Sequence, residues 1–143
     1  FIMSGGTISG NSSEGDGSAV CVDLGSQFTM SGGVIAGNGT ADGTGVYVSA
    51  DSALAISGAA FISRENRVFM ASGVTLTVKG ALTPPPGRAY SAFLSPNRYN
   101  VGQTLVRAER PYTLAERDLA ALPLSDSAYR LYLDRGEGKV DRR

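Results

Sequence analysis

The chain has 143 residues, 42% of them apolar and 19 of them glycine, with 13 basic and 13 acidic side chains. That is enough for one domain, or for a short solenoid with an appended piece. The absence of histidine and the single cysteine, Cys21, exclude Ser-His triads, Cys-His nucleophile pairs, zinc hydrolase sites and an internal disulfide within this chain.

The chain opens at Phe1 inside a repeat. Phe1-Ile-Met3-Ser-Gly5-Gly6-Thr-Ile8-Ser-Gly10-Asn11 returns, with eight identities in eleven positions, as Phe28-Thr-Met30-Ser-Gly32-Gly33-Val-Ile35-Ala-Gly37-Asn38. A weaker third copy is Leu54-Ala-Ile56-Ser-Gly58-Ala-Ala-Phe61. Between the copies, Val20-Cys21-Val22 returns as Val46-Tyr47-Val48 and then as Val68-Phe69-Met70. A fourth, partial turn begins at Val74-Thr-Leu76-Thr-Val78. The period is about 26 residues, in the range of solenoid repeats.

Each unit holds three short apolar segments, two of them alternating with period two, separated by glycine pairs and Asn-Gly or Asp-Gly steps. Alternation with β-branched and aromatic residues predicts strands with one face inside, and the glycine steps predict turns. Three strands per unit at constant period predict an all-β fold: a single-stranded parallel β-helix of about three coils. Phe28, Met30, Ile35, Val46 and Val48 are predicted to point inward. They stack on Phe1, Met3, Ile8, Val20 and Val22 and are followed by Leu54, Ile56, Phe61, Val68 and Met70. Gly5, Gly32 and Gly58 are placed at a corner needing positive φ. Asn11, Asn38 and Asn66 fall at another corner, where stacked amides form a structural ladder.

Pro84-Pro85-Pro86-Gly87 is read as the end of the periodic region, because prolines cannot donate to a ladder. Residues 1–83 are thus assigned to the β-helix and 84–143 to a C-terminal α+β or β cap. Within the cap, Tyr90–Leu94 and Thr104–Ala108 read as strands. Thr113-Leu-Ala-Glu116 reads as a capping box opening a short helix that presents Leu114, Leu119 and Leu122. Tyr129–Leu133 and Val140 are predicted to flank a hairpin around Asp134–Lys139. An open solenoid end exposes unpaired strand groups, so a terminator is required for solubility.

Charge divides along the same line. Residues 1–63 carry five acids and no base, whereas 64–143 hold all 13 basic residues against 8 acids. A solvated cap surface accounts for this asymmetry, and a head-to-tail attraction between neighbours is the sharper alternative.

The chemistry-bearing candidates are few. Asp16 and Asp42 stack one repeat apart near Glu14 and form a weak candidate Ca²⁺ pair; the glycine-rich nonapeptide of calcium-binding β-rolls is absent. Cys21, Tyr47 and Phe69 occupy the centres of aligned segments whose flanks point in. They form an outward apolar column, a product of cross-strand stacking or a contact surface. Arg64, Glu65 and Arg67 read as a loop salt-bridge set. No catalytic residue, resident metal or cofactor is assigned. The arginines lack the interleaved aromatics expected for nucleic acid. No run of about 18 apolar residues spans a membrane.

The pattern Phe-x-Met-Ser-Gly-Gly-x-Ile-x-Gly-Asn, followed by Gly-Val-Tyr-Val, resembles repeats of large bacterial cell-surface proteins. It is similar in style to the Gly-Gly-x-Ile repeats of polymorphic outer membrane proteins and to adhesin-like β-helices. The likeness spans residues 1–78. Tyr99-Asn-Val-Gly102-Gln-Thr-Leu105-Val106 and Gly136-Glu-Gly138-Lys139 also resemble segments that end such arrays. The resemblance implies a right-handed parallel β-helix of pectate-lyase-like fold, an extracellular or cell-surface location and no catalytic residues. The expected function is a non-catalytic structural or interaction module, the terminal part of a surface solenoid with a role in adhesion. The start at Phe1, without Met, is read as a fragment of a longer secreted precursor. Expected partners are upstream repeats of that precursor, further copies of the chain, or a host or cell-surface glycan or protein. The alternative is a polysaccharide lyase or hydrolase, which rests on fold analogy alone.

Overall fold

The computed structural model describes residues 1–39, 42 and 44–143. Alternation in the repeat becomes strands in chain order. The first coil holds β1 (Ile2–Met3), β2 (Thr7–Ile8) and β3 (Val20–Val22). The second holds β4 (Gln27–Met30), β5 (Val34–Ile35) and β6 (Thr44–Val48), and the third β7 (Ala53–Gly58), β8 (Phe61–Ile62) and β9 (Arg67–Met70). Beyond them lie β10 (Leu76–Leu82), β11 (Leu94–Pro96), β12 (Thr104–Ala108), α1 (Glu116–Ala120), β13 (Tyr129–Asp134) and β14 (Glu137–Arg142). Equivalent strands pair in parallel as β1-β4-β7-β10-β12, β2-β5-β8 and β3-β6-β9-β11. The architecture is a parallel β-helix of about four turns, with the right-handed coil that parallel crossovers adopt.

The register makes the core a set of columns. Met3 lies beside Met30, Met30 beside Ile56 and Ile56 beside Val78, while Val20, Val46, Val68 and Leu94 form a second line. Met30, Ile35, Val46, Val48, Val68, Met70, Leu76, Val78 and Leu94 are fully buried. Each large side chain so buried stabilises by roughly 1.5–3 kcal/mol relative to exposure. Phe1 stacks on Phe28 at 5.2 Å between ring centroids but remains 69% exposed. Ile8 and Val20 are only half-buried. These three were expected inside; the first coil has a neighbouring coil on one side only, so its columns are half covered.

Two further expectations change in detail. Ile62, not Phe61, continues the Ile35 column, because Val34 pairs with Phe61 and Ile35 with Ile62. The corner after Ile56 is one residue longer than the one after Met30. Positive φ falls on the second glycine of each pair, Gly6 (82°) and Gly33 (91°), rather than on Gly5 and Gly32; Gly58 (58°) is as expected. Gly32 is needed for another reason: a Cβ there would stand 2.6 Å from the Ser4 carbonyl oxygen of the previous coil.

Parallel pairing does not stop at the proline run. Pro84–Pro86 sit in the loop between β10 and β11, where no ladder donor is required. Beyond them β11 pairs with β9, and β12 pairs with β10 as far as Ala108. The strand expected at Tyr90–Leu94 begins only at Leu94. The solenoid therefore extends well past residue 83, and what closes it is α1 with the β13–β14 hairpin. β14 lies antiparallel on β12, and that reversal ends the parallel stack. The hairpin turn is tighter than expected. Arg135 (φ 49°) and Gly136 (φ 81°) form a two-residue connection of left-handed conformers, which suits the twist of the paired strands. Its strands carry Lys139–Asp134 (2.6 Å) and Arg130–Asp141 (3.1 Å) ion pairs, so the outer edge is charged.

The helix begins later than the Thr113–Glu116 capping box predicted. Ala115 occupies the N-cap, and the Asp118 carboxylate accepts its N–H at 2.9 Å. The same fully buried carboxylate accepts the Leu82 N–H at 3.1 Å and the Tyr112 hydroxyl at 2.6 Å. Asp118 thus ties the end of β10 to the helix start. In Asp118→Ala, the buried Leu82 N–H and the part-buried Ala115 N–H lose their acceptor, and urea unfolding should show a loss of about 3 kcal/mol. Asp118→Asn should lose less, since one amide oxygen remains to accept.

Candidate functional site

Because equivalent residues recur at each coil, side chains of one type line up along the solenoid axis. At one corner, Asn11 Nδ2 donates to Asn38 Oδ1 at 2.9 Å, and Asn38 Nδ2 donates to Asn66 Oδ1 at 3.1 Å. The backbone N–H groups of Asn11 and Asn38 donate to the same oxygens, at 3.1 and 3.0 Å. Asn66 closes the line by donating to the Asn38 carbonyl at 2.7 Å. It sits in a short 3-10 turn, Arg64–Asn66, and is fully buried, whereas Asn11 is exposed. The side chains of Asn38 and Asn66 spend their hydrogen bonds on neighbouring coils and local carbonyls, a pattern of coil fastening.

On the sheet formed by β3, β6, β9 and β11, Cys21 pairs with Tyr47, Tyr47 with Phe69 and Phe69 with Ser95. The Tyr47 and Phe69 rings stack at 5.5 Å with planes 3° apart. The column faces outward: Cys21 is exposed and both rings are half-buried. Partial burial, then the charges of Asp23 and Asp16, raise the Cys21 thiol above its ordinary pKa. Asp42 accepts the Thr44 N–H and hydroxyl, each at 2.9 Å, which binds it into its own turn. Asp16 is exposed, and no group of three metal-ligating side chains converges among the described residues. Ca²⁺ takes six to eight oxygen ligands, so the Asp16 and Asp42 carboxylates would supply only a small part of a shell.

The loop salt-bridge set expected of Arg64, Glu65 and Arg67 is replaced by another arrangement. None of the three forms an ion pair among the described residues. Instead the Arg64 guanidinium lies over the Phe93 ring at 5.2 Å, and that of Arg88 over the Phe61 ring at 4.9 Å. Tyr90 stands between the rings, 5.4 Å from Phe61 and 4.7 Å from Phe93, and its oxygen accepts the Arg64 backbone N–H at 3.2 Å. The Leu94–Val68 pairing sets Phe93 beside Arg67, whose Nε is buried without an acceptor among the described residues. This cluster was legible. Adding 26 to Arg64 gives Tyr90, and adding 26 to Arg67 gives Phe93. The repeat offset simply has to be carried past the prolines.

At the capped end, a cleft of about 200 Å³ runs between α1 and β13, below the usual size of a small-molecule pocket. No family model, curated protein or solved structure matches the chain.

Two measurements check this geometry. Asn66→Ala strands donors and acceptors of Asn38 inside the protein and should cost about 2–4 kcal/mol in chemical unfolding, whereas Asn11→Ala at the exposed end should cost under about 1 kcal/mol. Cys21 should be alkylated at pH 7–8 more slowly than free cysteine, because less of it is thiolate. Asp23→Asn should speed the reaction only in part, since burial is the larger cause.

Proposed function

We propose that this chain is a structural and interaction module, the terminal segment of a bacterial cell-surface β-solenoid with an adhesive role. The observation that carries the reading is a stack of parallel coils with ordered outward faces, closed at one end by an element that offers no equivalent edge. At one end the parallel stack is closed by α1 and an antiparallel, charged hairpin. At the other, β1, β2 and β3 present strand edges with no further partner among the described residues, beside Phe1 and Ile2, which are 69% and 75% exposed. An edge of this kind is a template on which a coil of a second copy can pair. The cell-surface location rests on the likeness of the repeat to surface-protein repeats.

Between the ends, the lateral faces offer ordered outward columns whose spacing is fixed by the coil repeat. Such a face suits recognition by repetition, as extended solenoid surfaces are used. No helix among the described residues is long and apolar enough to cross a membrane.

Sedimentation velocity across a concentration series tests the open edge. The chain should self-associate with rising concentration, and Ile2→Lys on β1 should weaken the association without lowering the melting temperature. A strictly monomeric chain that instead cleaves polysaccharides would overturn the proposal.

A further inference from the structure

The arginine–aromatic cluster has a property its neighbours lack. Residues 64–98 hold Arg64, Arg67, Lys79, Arg88 and Arg98 against the single carboxylate of Glu65. Lys79 is paired with Glu109, but Arg64, Arg67 and Arg88 have no carboxylate partner within ion-pair distance among the described residues. Stacking on a ring face leaves a guanidinium's in-plane N–H donors free, and that planar fork matches carboxylate and sulfate oxygens two at a time. Ring contact also limits the rotamers open to Arg64 and Arg88, so less entropy is lost when a ligand arrives. Buried Phe61 and the half-buried Tyr90 and Phe93 thus act as a mount on which two exposed guanidinium groups are held across neighbouring coils.

We propose that Arg64 and Arg88, with Arg67 beside them, form a binding site for a carboxylate- or sulfate-bearing saccharide. The backbone rules out the usual mode of an acidic peptide. Around the site Phe61 N–H donates to Gly33 O at 3.1 Å, Ile62 N–H to Ser91 O at 2.7 Å and Val68 N–H to Phe93 O at 2.9 Å. The strands there have partners on both sides, so no edge is left for strand addition. Nucleic acid would need free ring faces for its bases. Here Phe61 is 3% exposed and the faces of Phe61 and Phe93 already carry arginines. The adjoining coils, with five acids and no base in residues 1–63, repel a long polyanion laid along the axis. What fits is a compact anionic group carried on sugar hydroxyls, bound by side-chain donors alone.

Glu65 is the internal competitor. Its own backbone N–H first, and the charge of Arg88 after it, hold its carboxyl below the ordinary range, so it stays charged beside the cations. Removing that charge should strengthen the site rather than weaken it.

The inference goes beyond the structural reading above and does not depend on where the module resides. Isothermal titration of the full chain, at about 0.15 M salt, would use four probes: a heparin-type sulfated disaccharide, a uronate dimer, a neutral glucan dimer and a short single-stranded DNA of similar charge. The sulfated or the uronate oligomer should bind, the neutral glucan should not, and DNA should bind more weakly than either. Arg64→Gln with Arg88→Gln should weaken binding by about tenfold or more, Glu65→Gln should tighten it, and Arg107→Gln, remote from the cluster, should leave it unchanged. Matching circular dichroism and melting curves would confirm that the variants fold. No binding of either acidic saccharide, equal or tighter binding of DNA, an undiminished double variant, or an equal loss in Arg107→Gln would each overturn the assignment.

Discussion

The structure depends on one constraint: each coil must pair with the next in parallel and in the same register. Strands such as β1, β2, β5 and β8 have two residues each and could not persist alone. They exist because the coil above or below supplies their hydrogen bonds and covers their apolar face. Register is enforced from inside, since a slip of one residue would turn Met30 and Phe28 outward and bring Thr29 in. The coil spacing of about 4.8 Å then passes to every side chain at an equivalent position. It brings Asn11, Asn38 and Asn66 within amide reach, stacks Tyr47 on Phe69 and sets Phe93 beside Arg67. Ladder, outward column and basic cluster are three results of one repeat distance.

Termination follows from the same logic. Parallel pairing can be stopped only by an element that takes up the last edge without offering an equivalent one. β14 does so by running antiparallel to β12, and β13 then presents an edge on which Arg130 and Asp134 form ion pairs with β14. Asp118 fastens the helix to the end of β10, so the closure is held from the solenoid side as well. The result is a parallel stack closed at the β14 end, with a patterned flank on which the proposed ligand recognition takes place.

Most of the solenoid was legible in the sequence, because a period of about 26 residues with alternating apolar positions has few other physical solutions. The inward columns of the second coil, the strand Thr104–Ala108 and the C-terminal hairpin could all be read from local pattern. The differences arose where pattern and topology part. Proline reads as an end of pairing, yet Pro84–Pro86 occupy a loop where no donor is needed, and the stack continues beyond them. Phe61 and Ile62 are adjacent apolar residues, so only the longer corner decides which joins the Ile35 column. Asp118 carried no signal of its own as an N-terminal acceptor, because its role depends on Leu82 arriving from 36 positions earlier in the chain. The arginines were read against their neighbours in sequence, when their true neighbours are one coil away.

The central claim is that the stack is continuous from β1 through β12 and that residues 84–108 belong to it. Native-state hydrogen exchange tests this most directly. The amides of Val68 and Glu109, which donate to Phe93 O and Val78 O across the proline run, should open with the same free energy as those of Ser31 and Ala53 between earlier coils. Exchange of residues 84–143 as a separate, less stable unit, with Val68 and Glu109 unprotected while Ser31 and Ala53 remain protected, would contradict it.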